Sequence, residues 1–326
     1  MDVAKRAGVS HQTVSRVLNG SPSVRPRTRL RVQEAVDALA YRPSSAGRAL
    51  VTRRSGVLGV ISVMTPLFGP TSILFAVERA ARKAGYFFSV ATVESTDADE
   101  VARAFEQLAR QEVEGIVAIA PFPWLLNDLG RRAGPIPLVA VEGADLLGLS
   151  SVSVDQAGGA RDATAHLLDQ GAHEVWHVAG PADWAEGDGR VQGWRAAHRE
   201  RGLEAPGIIV GDWGALSGYR AGVELAKDPS VTAVFVANDQ MALGLLRAFH
   251  EFGRHVPNDV LVAGFDNLPE SAYFQPPLTT VEQDFDALGR QSIELLLAQI
   301  GDREPKTSSV LIPARLIVRR SSDPDR

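Results

Sequence analysis

Residues 2–20 read DVAKRAGVSHQTVSRVLNG. Ala4 to Gly8 has the form of the end of a short helix with Gly8 in the turn, and Ser10 is a good N-cap for a second helix from His11 to about Asn19. At roughly 100° per residue, His11, Gln12, Ser15 and Arg16 fall on one arc, while Thr13, Val14, Val17 and Leu18 fall on the opposite one. The second helix therefore carries one apolar face and one hydrogen-bonding face. Asn19-Gly20-Ser21-Pro22 breaks it, and a third helix follows from about Pro26 with Val32, Ala35, Val36 and Leu39 as its apolar stripe.

Two short helices joined by a Gly-containing turn, with a third to close the core, form a helix-turn-helix pattern. An ordinary three-helix packing unit would have the same apolar spacing, so the exposed face and the charge carry the distinction. Residues 1–54 hold eleven Lys/Arg against three acids, a net of +8, which leaves −13 on the rest of a chain whose total is −5. A basic head on an acidic body is the layout of a phosphate-binding module joined to something else; the alternative is a solvated basic surface. Amide and guanidinium groups on the exposed face suit base edges, since Gln pairs with adenine and Arg with guanine.

Outward from the head, the chain of 326 residues is long enough for two or more domains, with 45% hydrophobic and 22% charged residues, as in globular proteins. It has no cysteine, which excludes disulfides, thiolate metal sites and thiol nucleophiles. The first residues lack the apolar core of a signal peptide and no apolar stretch is long enough to span a bilayer, so a soluble, cytoplasmic protein without a membrane partner is expected. Apolar runs at 57–63, 86–92, 115–120, 138–142, 151–154, 175–179, 208–211, 231–237 and 260–265 alternate with amphipathic stretches at 73–85, 97–111, 155–170, 190–202, 216–227 and 239–252. This rhythm predicts an α/β body of doubly wound parallel sheets, too long for one sheet and hence two lobes. Ligands of such sheets lie at the carboxyl ends of strands. Asn238 and Asp239, Asp266, Trp213 and Arg190 fall at or just after such ends, and their donors, acceptors and apolar ring suit a neutral polyol. Each also has a plainer reading: Asn238 as an N-cap, Arg190 as half of a surface ion pair, Trp213 as packing.

Enzymatic motifs are scarce. There is no phosphate-binding Gly-x-x-x-x-Gly-Lys-Ser/Thr, no Gly-x-Ser-x-Gly and no dinucleotide fingerprint after the first strand. His173-Glu174-Val175-Trp176-His177 matches the zinc-protease string, but it runs into a β-rich segment. On a strand, four residues span about 13 Å, too far for two imidazoles to share one zinc. A non-enzyme with no metal and no cofactor is expected.

Asp2 to Ser10, Gln12 to Gly20 and Ala40-Tyr41-Arg42-Pro43 resemble the DNA-binding headpiece of the LacI/GalR family of transcriptional regulators. The resemblance implies a headpiece over 1–43 and a hinge helix or linker over 44–54. Residues 55–326 would form an effector-binding and dimerisation domain of the periplasmic-binding-protein-like type I fold. Its N lobe would take about 55–154 and 284–311, and its C lobe about 155–283 and 312–321. It further implies that His11, Gln12 and Arg16 enter the major groove of a pseudo-palindromic double-stranded operator, with Thr13, Ser15, Asn19 and the Arg cluster about the backbone. Arg48 and Leu50 lie in the hinge, Leu50 as a wedge into the minor groove. Gly211-Asp212-Trp213, residues 236–244, Gly264-Phe265-Asp266 and residues 277–285 resemble the lactose-repressor branch of that family. By that resemblance Arg190, Asn238 and Asp266 hold ligand hydroxyls, Trp213, Gln283 and Phe285 line the sugar, and Leu67 and Pro70 form the apolar edge from the other lobe. Glu142 lies near an acidic ligand position of the family. No Leu heptad follows Arg320, so a homodimer is expected. The function implied is a repressor released from its operator by a sugar, a galactoside or related saccharide. The alternatives are a corepressor-dependent repressor with a nucleobase-type ligand, and a pure sugar-binding protein.

Overall fold

The computed structural model describes residues 2–18, 21–41, 54–94, 97–120, 122–142, 149–301 and 307–323. The chain divides into two compact units, 1–56 and 57–326.

Among its described residues the first unit has three helices: α1 (Asp2–Ala7), α2 (His11–Leu18) and α3 (Pro26–Ala38). Gly8 makes the turn between α1 and α2 at φ +61°, where a Cβ would be strained. Ser10 caps α2, its Oγ accepting the Thr13 amide at 3.2 Å. Val3, Ala4, Ala7, Val14, Val17, Val32 and Ala35 are buried together, so the apolar spacing closes a small core. Leu39, expected on that stripe, is exposed instead, because α3 ends at Ala38 and the last turn passes beyond the core.

Among its described residues the second unit has two six-stranded sheets. The first has order β11-β5-β4-β3-β1-β2 from β1 (Val57–Val63), β2 (Phe87–Val93), β3 (Ile116–Ile119), β4 (Leu138–Val141), β5 (Ser150–Val154) and β11 (Ser309–Ile312), all parallel. The second has order β12-β10-β9-β8-β6-β7 from β6 (Trp176–Ala179), β7 (Ile208–Val210), β8 (Ala233–Val236), β9 (Leu261–Asp266), β10 (Thr279–Glu282) and β12 (Arg315–Ile317). In it only β12 runs antiparallel, beside β10. The strands are near-continuous apolar runs because helices cover both faces of each sheet. On the first sheet, α4 (Phe68–Lys83) and α11 (Phe285–Gly301) pack on one face, and α5 (Ala98–Arg110) and α6 (Pro123–Ala133) on the other. On the second, α7 (Gln156–Asp169) and α8 (Ala185–Glu200) oppose α9 (Ala215–Leu225) and α10 (Asp239–Glu251).

Both sheets share one strand order about a switch point, between β1 and β3 in the first and between β6 and β8 in the second. The chain passes between the sheets after β5, after β10 and between β11 and β12, which makes the two lobes share three connections. Switch points at strand carboxyl ends are where open α/β sheets bind ligands.

Candidate functional site

All eight body residues expected at the ligand, Leu67, Pro70, Arg190, Trp213, Asn238, Asp266, Gln283 and Phe285, border one cavity between the lobes, and so does Glu142. Leu67 and Pro70 come from the β1–α4 junction, and Phe285 opens α11; these form the first-lobe wall. The second-lobe wall is built at strand ends: Trp213 after β7, Asn238 after β8, Asp266 at the end of β9 and Gln283 after β10.

Arg190, on α8, organises the polar side. Its Nε donates to Gln156 Oε1 at 2.9 Å, one terminal nitrogen donates to the Ala237 carbonyl, and the other donates to Asp266 Oδ1 at 3.3 Å. Gln283 Nε2 donates to the same carboxylate oxygen at 2.8 Å, and Gln156 Nε2 donates to Gln283 Oε1 at 2.9 Å. Arg190, Asp266, Gln283 and Gln156 thus close a ring of hydrogen bonds, all four buried. The guanidinium also lies 3.9 Å from the Phe265 ring centre and 5.4 Å from that of Trp213. Of the plainer readings, the surface ion pair fails for Arg190. The other two are realised beside the cavity: Asn238 caps α10, its Oδ1 accepting the Met241 amide at 2.9 Å, and its Nδ2 donates to the Trp213 carbonyl at 3.1 Å.

Burial pushes the Asp266 carboxyl up to about 6, against the pull of Arg190 and Gln283. Burial and the charge on Glu186 push Glu142 up to about 8, and burial raises Glu186 as well. Burial also lifts Asp239 to about 7, although both its oxygens are engaged, by Leu268 N, Ser271 Oγ and Thr280 Oγ1. Asp239 anchors the loop after β9 and does not border the cavity.

Backbone strain gathers here. Of six non-glycine residues with positive φ among the described residues, Glu142 (63°), Trp213 (71°) and Asp266 (104°) border the cavity, and Asn267 (50°) follows directly. Each costs on the order of 1–3 kcal/mol and persists only where its surroundings over-determine it. Trp213 is held against Gly180, where a Cβ would sit 2.1 Å from the indole, so only glycine fits that strand end.

Three buried polar atoms bordering the cavity have no protein partner: Glu186 Oε2, Trp213 Nε1 and Gln240 Oε1. The cavity measures about 40 Å³. That is room for a few waters, far below the roughly 300–1,000 Å³ of a small-molecule pocket. The sequence reading missed Gln156, Trp184, Glu186 and Gln240, although Gln156 and Trp184 follow β5 and β6 as the strand-end rule requires.

On the three-helix unit, His11, Gln12 and Arg16 are exposed on one face of α2, and Thr13 and Ser15 are half-buried beside it. Thr13 Oγ1 is paired with Ser10 Oγ at 2.9 Å. Two Arg of the basic cluster also brace the fold: Arg31 donates to the Ala7 and Gly8 carbonyls, and Arg29 to that of Ser21 at 2.6 Å. Asn19, Arg48, Leu50 and nearly all of the expected hinge lie outside the described residues.

The zinc-protease string is not helical. His173 is exposed in a turn, whereas His177 is buried in β6, donates from Nδ1 to the Phe235 carbonyl at 3.0 Å and stacks on that ring at 4.8 Å. Among the described residues no group of three or more His, Cys, Asp or Glu is placed to hold a metal, and no helix is long and apolar enough to cross a membrane.

Residues 1–44 match the model of bacterial regulatory proteins of the lacI family, and residues 164–322 that of a periplasmic binding protein-like domain. The lactose operon repressor of Escherichia coli K12 is 32% identical over 98% of this chain and 89% of its own length. The regulator CelR of Thermobifida fusca is 35% identical over 98% and 96%, and the transcriptional repressor PurR of Escherichia coli O139:H28 is 33% identical over 98% and 95%. A crystal structure of the lac repressor dimer bound to operator and the anti-inducer ONPF superposes with a TM-score of 0.92, at 31% identity, covering 98% of both chains. With the helix-turn-helix unit, the two parallel-sheet lobes and these full-length relatives, the chain belongs to the lacI family of bacterial regulatory proteins and is a DNA-binding transcriptional repressor.

Proposed function

We propose that a homodimer of this protein binds a pseudo-palindromic operator through α2 of each three-helix unit and is released by a neutral saccharide, a galactoside or a related sugar. The carrying observation is the ring of Arg190, Asp266, Gln283 and Gln156 at strand carboxyl ends, beside buried donors and acceptors without protein partners. A planar Arg paired to a carboxylate offers bidentate donors and acceptors to vicinal hydroxyls, and Trp213 and Phe285 offer ring faces to the sugar's C–H side. His11, Gln12 and Arg16 present base-reading groups, while Thr13, Ser15, Asn19 and the exposed Arg residues lie about the phosphates. Arg48 and Leu50 belong to the hinge that bends the operator centre.

The mechanism follows from the cavity's size. The cavity, about 40 Å³ here, is smaller than a sugar, which supports a change in the separation of the lobes on binding. The sugar shifts the equilibrium away from the operator-binding state by its differential affinity for the two states.

The test is fluorescence anisotropy on labelled DNA from immediately upstream of the protein's own gene, with sugar and purine panels added to the complex. Tight binding released by one sugar is expected, with Asp266→Ala keeping DNA affinity and losing the release. DNA binding that appears only after a purine is added would reverse the sign and establish the corepressor reading.

A further inference from the structure

A separate space lies at the other end of the second sheet. It is an open groove of about 420 Å³ between the last turn of α10, the turn at 253–258 before β9, the segment at 275–277 before β10, and Arg320 after β12. Asp266 and Gln283 stand in the cleft at the carboxyl ends of β9 and β10, whereas the groove lies at the amino ends of the same strands, about 17 Å away along the six residues of β9. Among the described residues none borders both spaces. We propose that this groove binds a small, multiply charged oxyanion, a metabolite bearing phosphate or carboxylate groups, at a site separate from the cleft.

The groove presents charge of one sign. Arg254, Arg320, His250 and His255 border it, and among the described residues no Asp or Glu does, although residues 55–326 carry a net charge of −13. A concave surface lined by one sign of charge focuses its field and concentrates ions of the other sign. The two acids adjacent in sequence to its lining are engaged. Glu251 accepts from Arg247 at 2.8 Å and from Tyr219 at 2.6 Å, and Asp259 accepts the His255 amide at 2.7 Å and lies 3.0 Å from His255 Nδ1. Asp259 thus offsets His255 and leaves two guanidinium charges facing the groove.

One of these charges is fixed and the other is uncommitted. Arg254 is half-buried and donates to the carbonyls of Asp228 at 2.9 Å, Val231 at 2.5 Å and Asp259 at 3.4 Å. A guanidinium has five N–H donors, so this anchoring holds the charge in place and leaves two donors for a ligand. The side chains of Arg320, His250, Asn258 and Gln275 are exposed and make no hydrogen bond or ion pair with any described residue. His250 has a plainer duty as well, because a cation in the last turn complements the carbonyl end of α10. Arg320 has no such duty, since it follows a strand. Guanidinium and amide groups converging from four segments of chain suit an anion with several oxygens, which Arg pairs with in bidentate fashion.

The dimensions set the ligand's size. A volume of about 420 Å³ lies within the roughly 300–1,000 Å³ of small-molecule pockets. Pro257, Pro276 and Pro277 wall it, and their fixed φ keeps the wall in shape before a ligand arrives.

The test is titration calorimetry of the full chain with inorganic phosphate, pyrophosphate and citrate at constant ionic strength, followed by NMR of the imidazole C–H signals. One saturable site per chain is expected, with pyrophosphate or citrate about tenfold tighter than phosphate; the tighter of the two distinguishes phosphate from carboxylate chemistry. Arg320→Ala and Asn258→Asp, both at exposed positions, should each weaken binding about tenfold. Of the seven histidines, His250 and His255 should shift when the anion is added and His11 should not. Binding that survives both variants, or a shift of His11 in place of the other two, puts the anion on the basic three-helix unit and overturns the site. A titration with no saturation below about 10 mM overturns it as well, leaving a solvated basic surface. Saturation by an acidic peptide and by none of the three small anions overturns the small-ligand reading in favour of a protein partner.

Discussion

The two surfaces that present polar chemistry do so in opposite ways. On α2, His11, Gln12 and Arg16 stand exposed on a helix whose other face is buried, so the proposed reading groups add little to the stability of the unit that carries them. In the cleft, Arg190, Asp266, Gln283 and Gln156 are buried and satisfy one another, so the proposed recognition groups are also structural members. A face that meets a partner in water can be read and replaced residue by residue. A ring that must be desolvated is held as a unit, and any ligand has to compete with its internal hydrogen bonds.

The sharpest way to break this contrast is Arg190→Ala. It leaves Asp266 buried without its cation, a change that costs about 3–5 kcal/mol, and it should abolish sugar binding as well. All five tryptophans lie beyond residue 56, so urea unfolding followed by Trp fluorescence reports the two-lobed unit alone. Unchanged stability would show that the ring is not structural. On α2 the counterpart is Gln12→Ala, expected to cost about 1–3 kcal/mol of operator affinity with no change in thermal stability; a drop in melting temperature would erase the distinction. Gly180→Ala should cost about 1–3 kcal/mol by overpacking and shift Trp213 emission, because the new methyl group collides with that indole.

A smaller effect comes from pH. Glu142 is pushed up to about 8 and Asp239 to about 7, so the folded protein holds protons that the unfolded chain has released at about pH 4. Their stabilising contribution is complete below the unfolded values and is lost as pH rises through the folded ones. His177, lowered to about 4 by burial, works in the opposite direction, but only below about pH 6.5, where the unfolded imidazole titrates. Thermal stability should therefore fall from pH 6.5 to 8, and Glu142→Gln should flatten that slope. A melting temperature that rises over this window contradicts the assignment. Smallest of all, Arg25→Ala should leave sequence preference intact and reduce the salt slope of DNA binding by about one.

The same contrast explains what was legible in the sequence. The α2 face could be read because a 3.6-residue period separates Val14 and Val17 from Gln12 and Arg16 without knowledge of the rest of the fold. β1 to β9 were legible as apolar runs, most closely β1 at 57–63, because parallel strands covered on both sides leave an uninterrupted signal, whereas β10, β11 and β12 were not among those runs. Boundaries slipped where neighbours decide: α4 begins at Phe68 rather than near 73, since its first turn is fixed by the cleft wall. The ring was half legible. Arg190 and Asp266 carry charge and a motif, whereas Gln156 is an amide whose role exists only because β5 and β10 bring it to Gln283, 127 residues away. The structural duty of Arg29 and Arg31 was invisible for the same reason, since nothing local distinguishes an arginine that holds a carbonyl from one that meets phosphate.

The ring also has a direction. Gln156 donates to Gln283, Gln283 donates to Asp266, and Arg190 donates at both ends of that chain, so each amide has one permitted orientation. Gln283→Glu alone would set an acceptor against Asp266, and Gln156→Glu alone would set two acceptors face to face. Paired with Asp266→Asn, the first change regains a donor, while Arg190 has to move from the shared Oδ1 position to the new amide's oxygen. New ligand preferences at this site are therefore expected to be inherited as linked pairs, with single steps passing through poorly folded intermediates, whereas the reading face of α2 is free to drift one residue at a time.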